Sequence, residues 1–339
     1  MKSARFGVIG VGGWGGRHVQ AYRQHPHARL AGICDLRQEA LDSVGERFGV
    51  EARFTDYREL LAMDGLDAVS IVTPDFAHLE PALEAIARGK HVLIEKPLAT
   101  SMEDCDCIGQ ALRERPVKFM VDFHNRWSPG VAQMKQRIDA GEIGRPLMAS
   151  YRLNDNISVP TRMLPWAGRS NVNWFVGSHC LDTLRWLLGD EVAKVYTASR
   201  SVVLKGMGID TPDFYQSLIE FAGGATALLE TCWIVSERTP RIFDMKVEIV
   251  GEAGTLFFSG SPDALEVFTS RGAENPDTFV CPEVHGRGVG FGLESIYHFA
   301  DCVAGDREPM AGFEDGCEVT RVILAMEESA RTGRAVVLR

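Results

Sequence analysis

Three groups of residues in this chain have types and spacings that could do chemistry. Gly10-x-Gly12-x-x-Gly15 follows the apolar run Phe6 to Ile9, and Asp35 stands about twenty residues further on, at the end of the next apolar run. In that context Gly10 permits a tight turn, Gly12 lets backbone approach a pyrophosphate, and Gly15 lets the following helix pack against the strand. The unpaired N–H groups and partial positive charge of the helix start then face the phosphates. Asp35 would accept hydrogen bonds from an adenosine ribose and repel a 2′-phosphate, which favours NAD. Arg37 could reach a phosphate or stack on adenine, so NADP stays possible.

Glu95-Lys96-Pro97 closes a further apolar run, His91 to Ile94. Ligands of open α/β sheets bind at the carboxyl ends of strands, and Lys96 there could donate to a substrate hydroxyl and stabilise a developing alkoxide. The same residues would also make an ordinary surface ion pair, and Pro97 admits a cis peptide. His179 and Asp182 lie three apart between Gly177 and Gly189, on a helix whose apolar stripe is Leu181, Leu184, Leu187 and Leu188. A histidine titrating near neutrality takes up a proton as hydride leaves the same carbinol carbon. A histidine at a helix start equally bonds to backbone.

These groups need elements to position them. Through the first third, apolar runs alternate with amphipathic helical stretches: strands at 6–9, 29–34, 68–72, 91–94 and 117–121, helices at 17–24, 38–48, 77–88 and 102–115. Such alternation predicts an α/β fold, a doubly wound parallel sheet of Rossmann type. Beyond residue 122 the character changes. A helix over 129–140 precedes segments at 147–153, 215–221, 225–232 and 246–250 that read as antiparallel strands, with Gly223-Gly224 as a hairpin turn. Helices over 293–303 and 314–331 and an apolar tail at 335–338 close the chain. The expected domains are 1–122, binding a dinucleotide, and 123–339, an α+β domain for substrate and oligomerisation; a length of 339 residues suits two domains at ~150 residues each.

Composition narrows the function. The 46 acidic residues exceed the 36 Lys and Arg, and no basic cluster offsets the formal charge of -10, so no nucleic-acid partner is expected. No apolar run reaches the ~18 residues a membrane span needs, and the N-terminus lacks a signal-peptide pattern. The eight cysteines form no C-x-x-C pair or regular framework, which argues against a metal site or disulfides and for a reducing, cytoplasmic setting.

Taken in order, these pieces resemble the family of glucose–fructose oxidoreductase, inositol dehydrogenase and the rhizopine-catabolism oxidoreductases (Gfo/Idh/MocA). The likeness runs through the glycine loop with His18, Val72 to His78, Gly89 to Leu98, Ala140 to Pro146, the His179/Asp182 helix, and Asp315-Gly316 through Ser329 and Val336. It implies a second domain built on a large, mostly antiparallel sheet and hydride transfer between NAD(P) and a secondary hydroxyl of a sugar, sugar derivative or cyclitol in a cleft between domains. It implies Lys96 as the substrate-contacting lysine, His179 as general base, and Asp182 as a holder of substrate or of His179. His124, Asn125 and Arg126 match the segment entering the second domain and join the substrate residues. Gly13, Trp14, Thr73, Pro74, His78 and Glu95 join Gly10, Gly12, Gly15, Asp35, Arg37 and Lys96 at the cofactor. A homo-oligomer, dimer or tetramer, is implied as well, with the second sheet as its contact.

One position departs from the family. Many members that oxidise sugars or inositol carry an aspartate four residues before the histidine, where this chain has Phe175, a side chain unable to orient an imidazole. Either His179 works without that partner and Lys96 takes a larger share, or another acid, Asp155 or Asp182, substitutes. The irregular stretch from Asn154 to Asn173 carries Arg162, Trp166 and Arg169, residues that suit a pyranose or a carboxylate-bearing sugar. A solvated loop is the plainer reading of that stretch. Trp233 is a lining candidate or a core residue. Two other functions fit the same motifs: an NAD-dependent glycosidase that oxidises its substrate transiently, and a non-catalytic dinucleotide or sugar sensor.

Overall fold

The computed structural model describes residues 3–260, 265–270 and 272–338. The chain divides into two compact units, Met1–His124 with Val280–Cys317, and Asn125–Phe279 with Glu318–Arg339.

In the first unit, strands and helices alternate as β1 (Ala4–Ile9), α1 (Gly15–Gln24), β2 (Ala28–Cys34), α2 (Gln38–Phe48), β3 (Arg53–Phe54), α3 (Tyr57–Leu61), β4 (Ala68–Ile71), α4 (Leu79–Ala87), β5 (His91–Ile94), α5 (Met102–Glu114) and β6 (Phe119–Val121). All six strands run parallel in the order β3-β2-β1-β4-β5-β6. This is the doubly wound Rossmann arrangement, whose winding reverses between β1 and β4. Phe6, Val8, Ile71, Val92 and Met120 are fully buried, which is why these runs show no polar alternation. The sequence reading omits β3 and α3. A two-residue strand is too short to show a pattern, and the signal for α3 was Asp56, whose side chain accepts from the Arg58 N–H at 2.9 Å.

Further along come α6 (Pro129–Asp139), β7 (Pro146–Asn156), α7 (Ser178–Leu188), β8 (Val192–Arg200), a short α8 (Val203–Gly206), β9 (Phe214–Phe221), β10 (Thr226–Val235), β11 (Phe243–Gly251) and β12 (Thr255–Ser259). Two small ribbons follow, β13 (Val267–Thr269) with β14 (Gly272–Glu274) and β15 (Glu283–Val284) with β16 (Arg287–Gly288), and then α9 (Phe291–Gly305), α10 (Phe313–Thr332) and β17 (Val336–Val337). The second unit is built on a seven-stranded sheet in the order β12-β11-β7-β10-β9-β8-β17. Gly223-Gly224 turns β9 into β10 as the sequence implies. The sheet is mostly antiparallel, as expected, with one parallel pair: β10 runs parallel to β7, from Thr226 opposite Met148 to Val235 opposite Asn156. Alternation of side chains is the same in both kinds of ladder, so only the long connection through α7, β8 and β9 reveals the direction.

The expected second domain, 123–339, is also corrected, because Val280–Cys317 belongs to the first unit. The cause is α9. Its Ile296, Phe299 and Ala300 are buried, and Phe299 lies edge-on to Phe6 of β1 at 6.2 Å, while Phe6 stacks on Tyr22 at 4.4 Å. A helical apolar period shows that one face is covered without naming the partner. Among the described residues no helix is long and apolar enough to cross a membrane, and no disulfide joins the cysteines.

Candidate functional site

At the β1/β4 switch point the glycine loop is shaped by what its residues lack. Gly10 has φ 88°, and a Cβ there would lie 2.5 Å from the Val72 carbonyl oxygen; one on Gly15 would lie 2.0 Å from the Gly10 carbonyl oxygen. Both positions therefore require glycine. Gly12 and Gly13 differ. A Cβ on Gly12 would meet nothing closer than Arg37 Nη2 at 3.8 Å, and one on Gly13 nothing within 4 Å. Bare backbone thus faces open space at the start of α1, the cradle a pyrophosphate needs.

Asp35 ends β2 and accepts from the Val11 N–H through Oδ2 at 2.9 Å, and through Oδ1 from the Arg37 N–H at 3.0 Å and its Nε at 3.3 Å. The carboxylate therefore braces the loop and restrains an exposed Arg37. Thr73 and Pro74 follow β4, half-buried, with the Thr73 hydroxyl donating to the Ala77 carbonyl at 3.0 Å. His78, expected at the cofactor, is buried instead. Its Nδ1 lies 2.8 Å from the Pro97 carbonyl oxygen and its Nε2 3.1 Å from that of Thr73. Burial lowers its pKa, so the neutral ring donates to only one of them, and it ties the two turns together rather than facing a ligand.

Lys96 is half-buried just beyond β5, and the Lys96–Pro97 peptide is cis. The preceding Glu95 turns inward. Its Oε1 accepts from the Trp14 indole N–H at 2.9 Å and lies 3.0 Å from His18 Nε2. His18 Nδ1 is 3.0 Å from Ser70 Oγ, which lies 2.6 Å from the Tyr22 hydroxyl. Asp122, at the end of β6, places Oδ2 3.7 Å from His18 Nε2. Burial pushes the His18 imidazole down to about 4, against the opposing pull of Asp122. Burial raises the Glu95 carboxyl, and it raises Asp122 further with the help of the Glu95 charge. The ligand atoms of the three lie within 4.8 Å of one another, a spacing a cation could bridge, and burial disfavours the charged form of each. This cluster was largely missed from sequence. Its available signal was that Glu95 and Asp122 stand just beyond adjacent parallel strands.

His124, expected at the substrate, packs its ring 5.1 Å from Trp14 and 5.7 Å from Phe291. Burial, and then the charge of Lys96, pushes its pKa down to about 3. It is a neutral wall for the glycine-loop tryptophan.

In the second unit two expected substrate residues instead hold each other. Arg126 Nε donates to Asp182 Oδ2 at 2.9 Å and Nη2 donates to Oδ1 at 2.5 Å, with both side chains buried and the guanidinium 5.7 Å from the Trp186 ring. Asp182 shares the first turns of α7 with His179, yet its helix face turns to the segment after β6. Asn125 is likewise buried, donating to the Tyr151 hydroxyl at 3.2 Å. His179 is 6% exposed in the first turn of α7, which is entered through a π-helical turn, Asn173–Gly177, closed by the Ser178 N–H on the Asn173 carbonyl. That turn is pinned by the Thr231 hydroxyl, which donates to Asn173 Oδ1 at 2.9 Å. Phe175 lies 6.3 Å from half-buried Trp166 and 5.9 Å from Trp233. Trp233 is fully buried, as a core residue, and its indole N–H donates to Asp155 Oδ2 at 3.2 Å. Arg162 is exposed and pairs with Glu237 at 2.9 Å, as a solvated loop residue does.

Comparison with known proteins matches this architecture. Residues 4–123 match the model of an oxidoreductase family with an NAD-binding Rossmann fold, and residues 131–257 match the GFO/IDH/MocA C-terminal domain. The chain is 30% identical over 338 residues to scyllo-inositol 2-dehydrogenase (NAD(+)) of Bacillus subtilis, covering 98% of this chain and 96% of that one. It is 26% identical to D-apiose dehydrogenase of Paraburkholderia graminis, covering 100% of this chain and 91% of that one. The crystal structure of scyllo-inositol dehydrogenase from Lactobacillus casei, with bound NAD(H) and scyllo-inositol, shares the fold at a TM-score of 0.84 and 22% identity, covering 99% of each chain.

Proposed function

The chain belongs to the GFO/IDH/MocA family of NAD-binding oxidoreductases, and from that premise we propose that it oxidises a secondary hydroxyl of a sugar or cyclitol by hydride transfer to NAD, with Lys96 and His179 acting on the carbinol. NAD supplies the hydride acceptor. Gly10 and Gly15 allow the tight turn and the close approach of α1, Gly12 and Gly13 leave room for its pyrophosphate, and Asp35 would receive its adenosine ribose. The observation that carries the reading is the open backbone at Gly12 and Gly13, at the switch point of a sheet whose β5 is followed closely by Lys96. Lys96 polarises the hydroxyl oxygen and stabilises the alkoxide that precedes hydride departure. His179 takes the hydroxyl proton, so that a ketone, an imidazolium and a reduced nicotinamide result. Cyclitols and aldoses of the kind named for the relatives are the substrate class.

The direct test follows NADH absorbance with NAD and a panel of scyllo-inositol, myo-inositol, D-apiose and levoglucosan, repeated with NADP. Steady NADH formation with NAD preferred is the expected result. Glycoside cleavage without net NADH would replace the reading with a redox-assisted glycosidase. NAD binding without turnover on any member would replace it with a sensor.

The protein acts as a homo-oligomer through its second sheet. Tyr196, Leu218, Leu228 and Phe257 are exposed, and the registers set them in one row with Ser150 and Glu248 across β8, β9, β10, β7, β11 and β12. The run of exposed Tyr196, Leu218 and Leu228 on three adjacent strands supports a protein contact there. Leu218→Lys with Leu228→Lys should yield a monomer in sedimentation; an unchanged mass would remove this sheet as the contact. The scattered cysteines, with no regular framework, support a reducing, cytoplasmic setting.

A further inference from the structure

His179 needs an acid, and the position one turn before it holds Phe175, whose ring accepts no hydrogen bond. Asp182 is committed elsewhere, since Arg126 takes both its oxygens. Asp155 lies near the end of β7, the strand against which α7 packs. It alternates with buried Leu153 and Tyr151 on one face of that strand and is itself 5% exposed. Its charge reaches α7, because Asp155 helps to raise the thiol of Cys180, the residue after His179. Its Oδ2 is fixed by the Trp233 indole, and the Trp233 ring lies 5.9 Å from that of Phe175. The tryptophan thus links Asp155 to the turn that lacks an acid.

We propose that Asp155 is the positioning acid of His179, supplying from β7 the carboxylate that Phe175 cannot supply from the helix. The proposal rests on His179 as the base. In the oxidation, the hydroxyl proton passes to the imidazole, the hydride passes to nicotinamide and the C–O single bond becomes a carbonyl. Asp155 takes no proton; it orients the ring and stabilises the imidazolium. The other ionisable groups packed on these elements do not compete. Tyr151 on β7, Cys180 on α7 and Cys232 on β10 are held neutral by burial, and Asp182 is paired with Arg126.

The test uses the full chain with NAD and the fastest substrate of the panel. Asp155→Asn should lower kcat by about 100-fold, with KM for NAD unchanged. A carboxylate beside an imidazole raises its pKa, so removing the charge should move the acidic limb of the kcat profile down by about 1 pH unit. The His179 imidazole followed by NMR, without substrate, should titrate lower by the same amount. Phe175→Asp added to Asp155→Asn should recover about 10-fold of the loss, which a merely structural role of Asp155 would not allow. If Asp155→Asn does not fold, Trp233→Phe, which removes the indole donor and leaves a smaller aromatic ring, should still reduce kcat about 10-fold; an unchanged kcat would overturn the proposal. So would an unmoved limb and an unmoved imidazole titration in Asp155→Asn. Full turnover in His179→Ala would instead remove the reading of His179 as base, so the two failures are distinct.

Discussion

In the first unit the residues proposed to meet the ligand follow the ends of parallel strands: Gly10 after β1, Asp35 after β2, Thr73 after β4, Lys96 after β5. In the second, the polar groups come from β7, a π-helical turn, α7 and β10, and several are spent on one another. Parallel strands bring their carboxyl ends to one edge whatever their side chains, so there position in the sequence foretells position in space. On a mixed sheet with a packed helix, a residue's role depends on which neighbour reaches it first. Asp182 shows this, since Arg126 claims it before any substrate could.

The sharpest way to break this contrast is at Lys96. Lys96→Met should lower kcat by about 10,000-fold while NAD affinity, by equilibrium fluorescence titration, stays within about 3-fold. A large loss of NAD binding would make Lys96 a cofactor anchor. Arg126→Ala should act on folding first: breaking a buried, bidentate pair leaves Asp182 uncompensated and should cost about 3–5 kcal/mol in denaturant unfolding. A stable variant with a raised KM for sugar would return Arg126 to the substrate.

Smaller effects sharpen the picture of the first unit. Asp35→Ser should shift the NAD-to-NADP ratio of kcat/KM by about 10-fold, one lost charge-assisted contact at about 1.4 kcal/mol; an unchanged ratio would assign the preference to another group. The smallest effect is the pH dependence carried by His124. Its pKa is about 3 when folded, against an ordinary value near 6.5. Between those values the unfolded chain holds a proton that the folded chain does not, so stability is present at higher pH and is lost as pH falls. His124→Asn should flatten that slope by about 1.4 kcal/mol per pH unit, read from urea midpoints between about pH 6.5 and 5. In the His18–Glu95–Asp122 cluster the signs oppose. The lowered histidine loses stability as pH falls, while the raised carboxyls lose it as pH rises.

The fold of the first unit was legible because strands buried on both faces read as unbroken apolar runs, and because the glycine pattern needs both strand and helix around it. The second unit was legible only in outline. Alternation located β7, β9, β10 and β11 without their directions, and β8, whose apolar positions alternate poorly, was missed. For the site, residue type and spacing singled out Gly10 and Gly15 for a tight turn and a close helix approach, and a Cβ at either would meet backbone; Asp35, singled out for a ribose, here accepts from the Val11 N–H. His78, His124, Asn125 and Arg126 were placed by motif alone, and the structure finds each buried among groups remote in sequence.

The order of apolar runs, the glycine loop and the residues that close the strands were settled by the sequence itself, because they depend on local backbone geometry and on which segments avoid water. Tertiary structure alone decided that α9 returns to cover β1, that Asp182 belongs to Arg126, and that Trp233 holds Asp155. Each of those outcomes is a competition among burial and hydrogen-bond partners far apart in the chain, and a linear pattern carries no record of which partner wins.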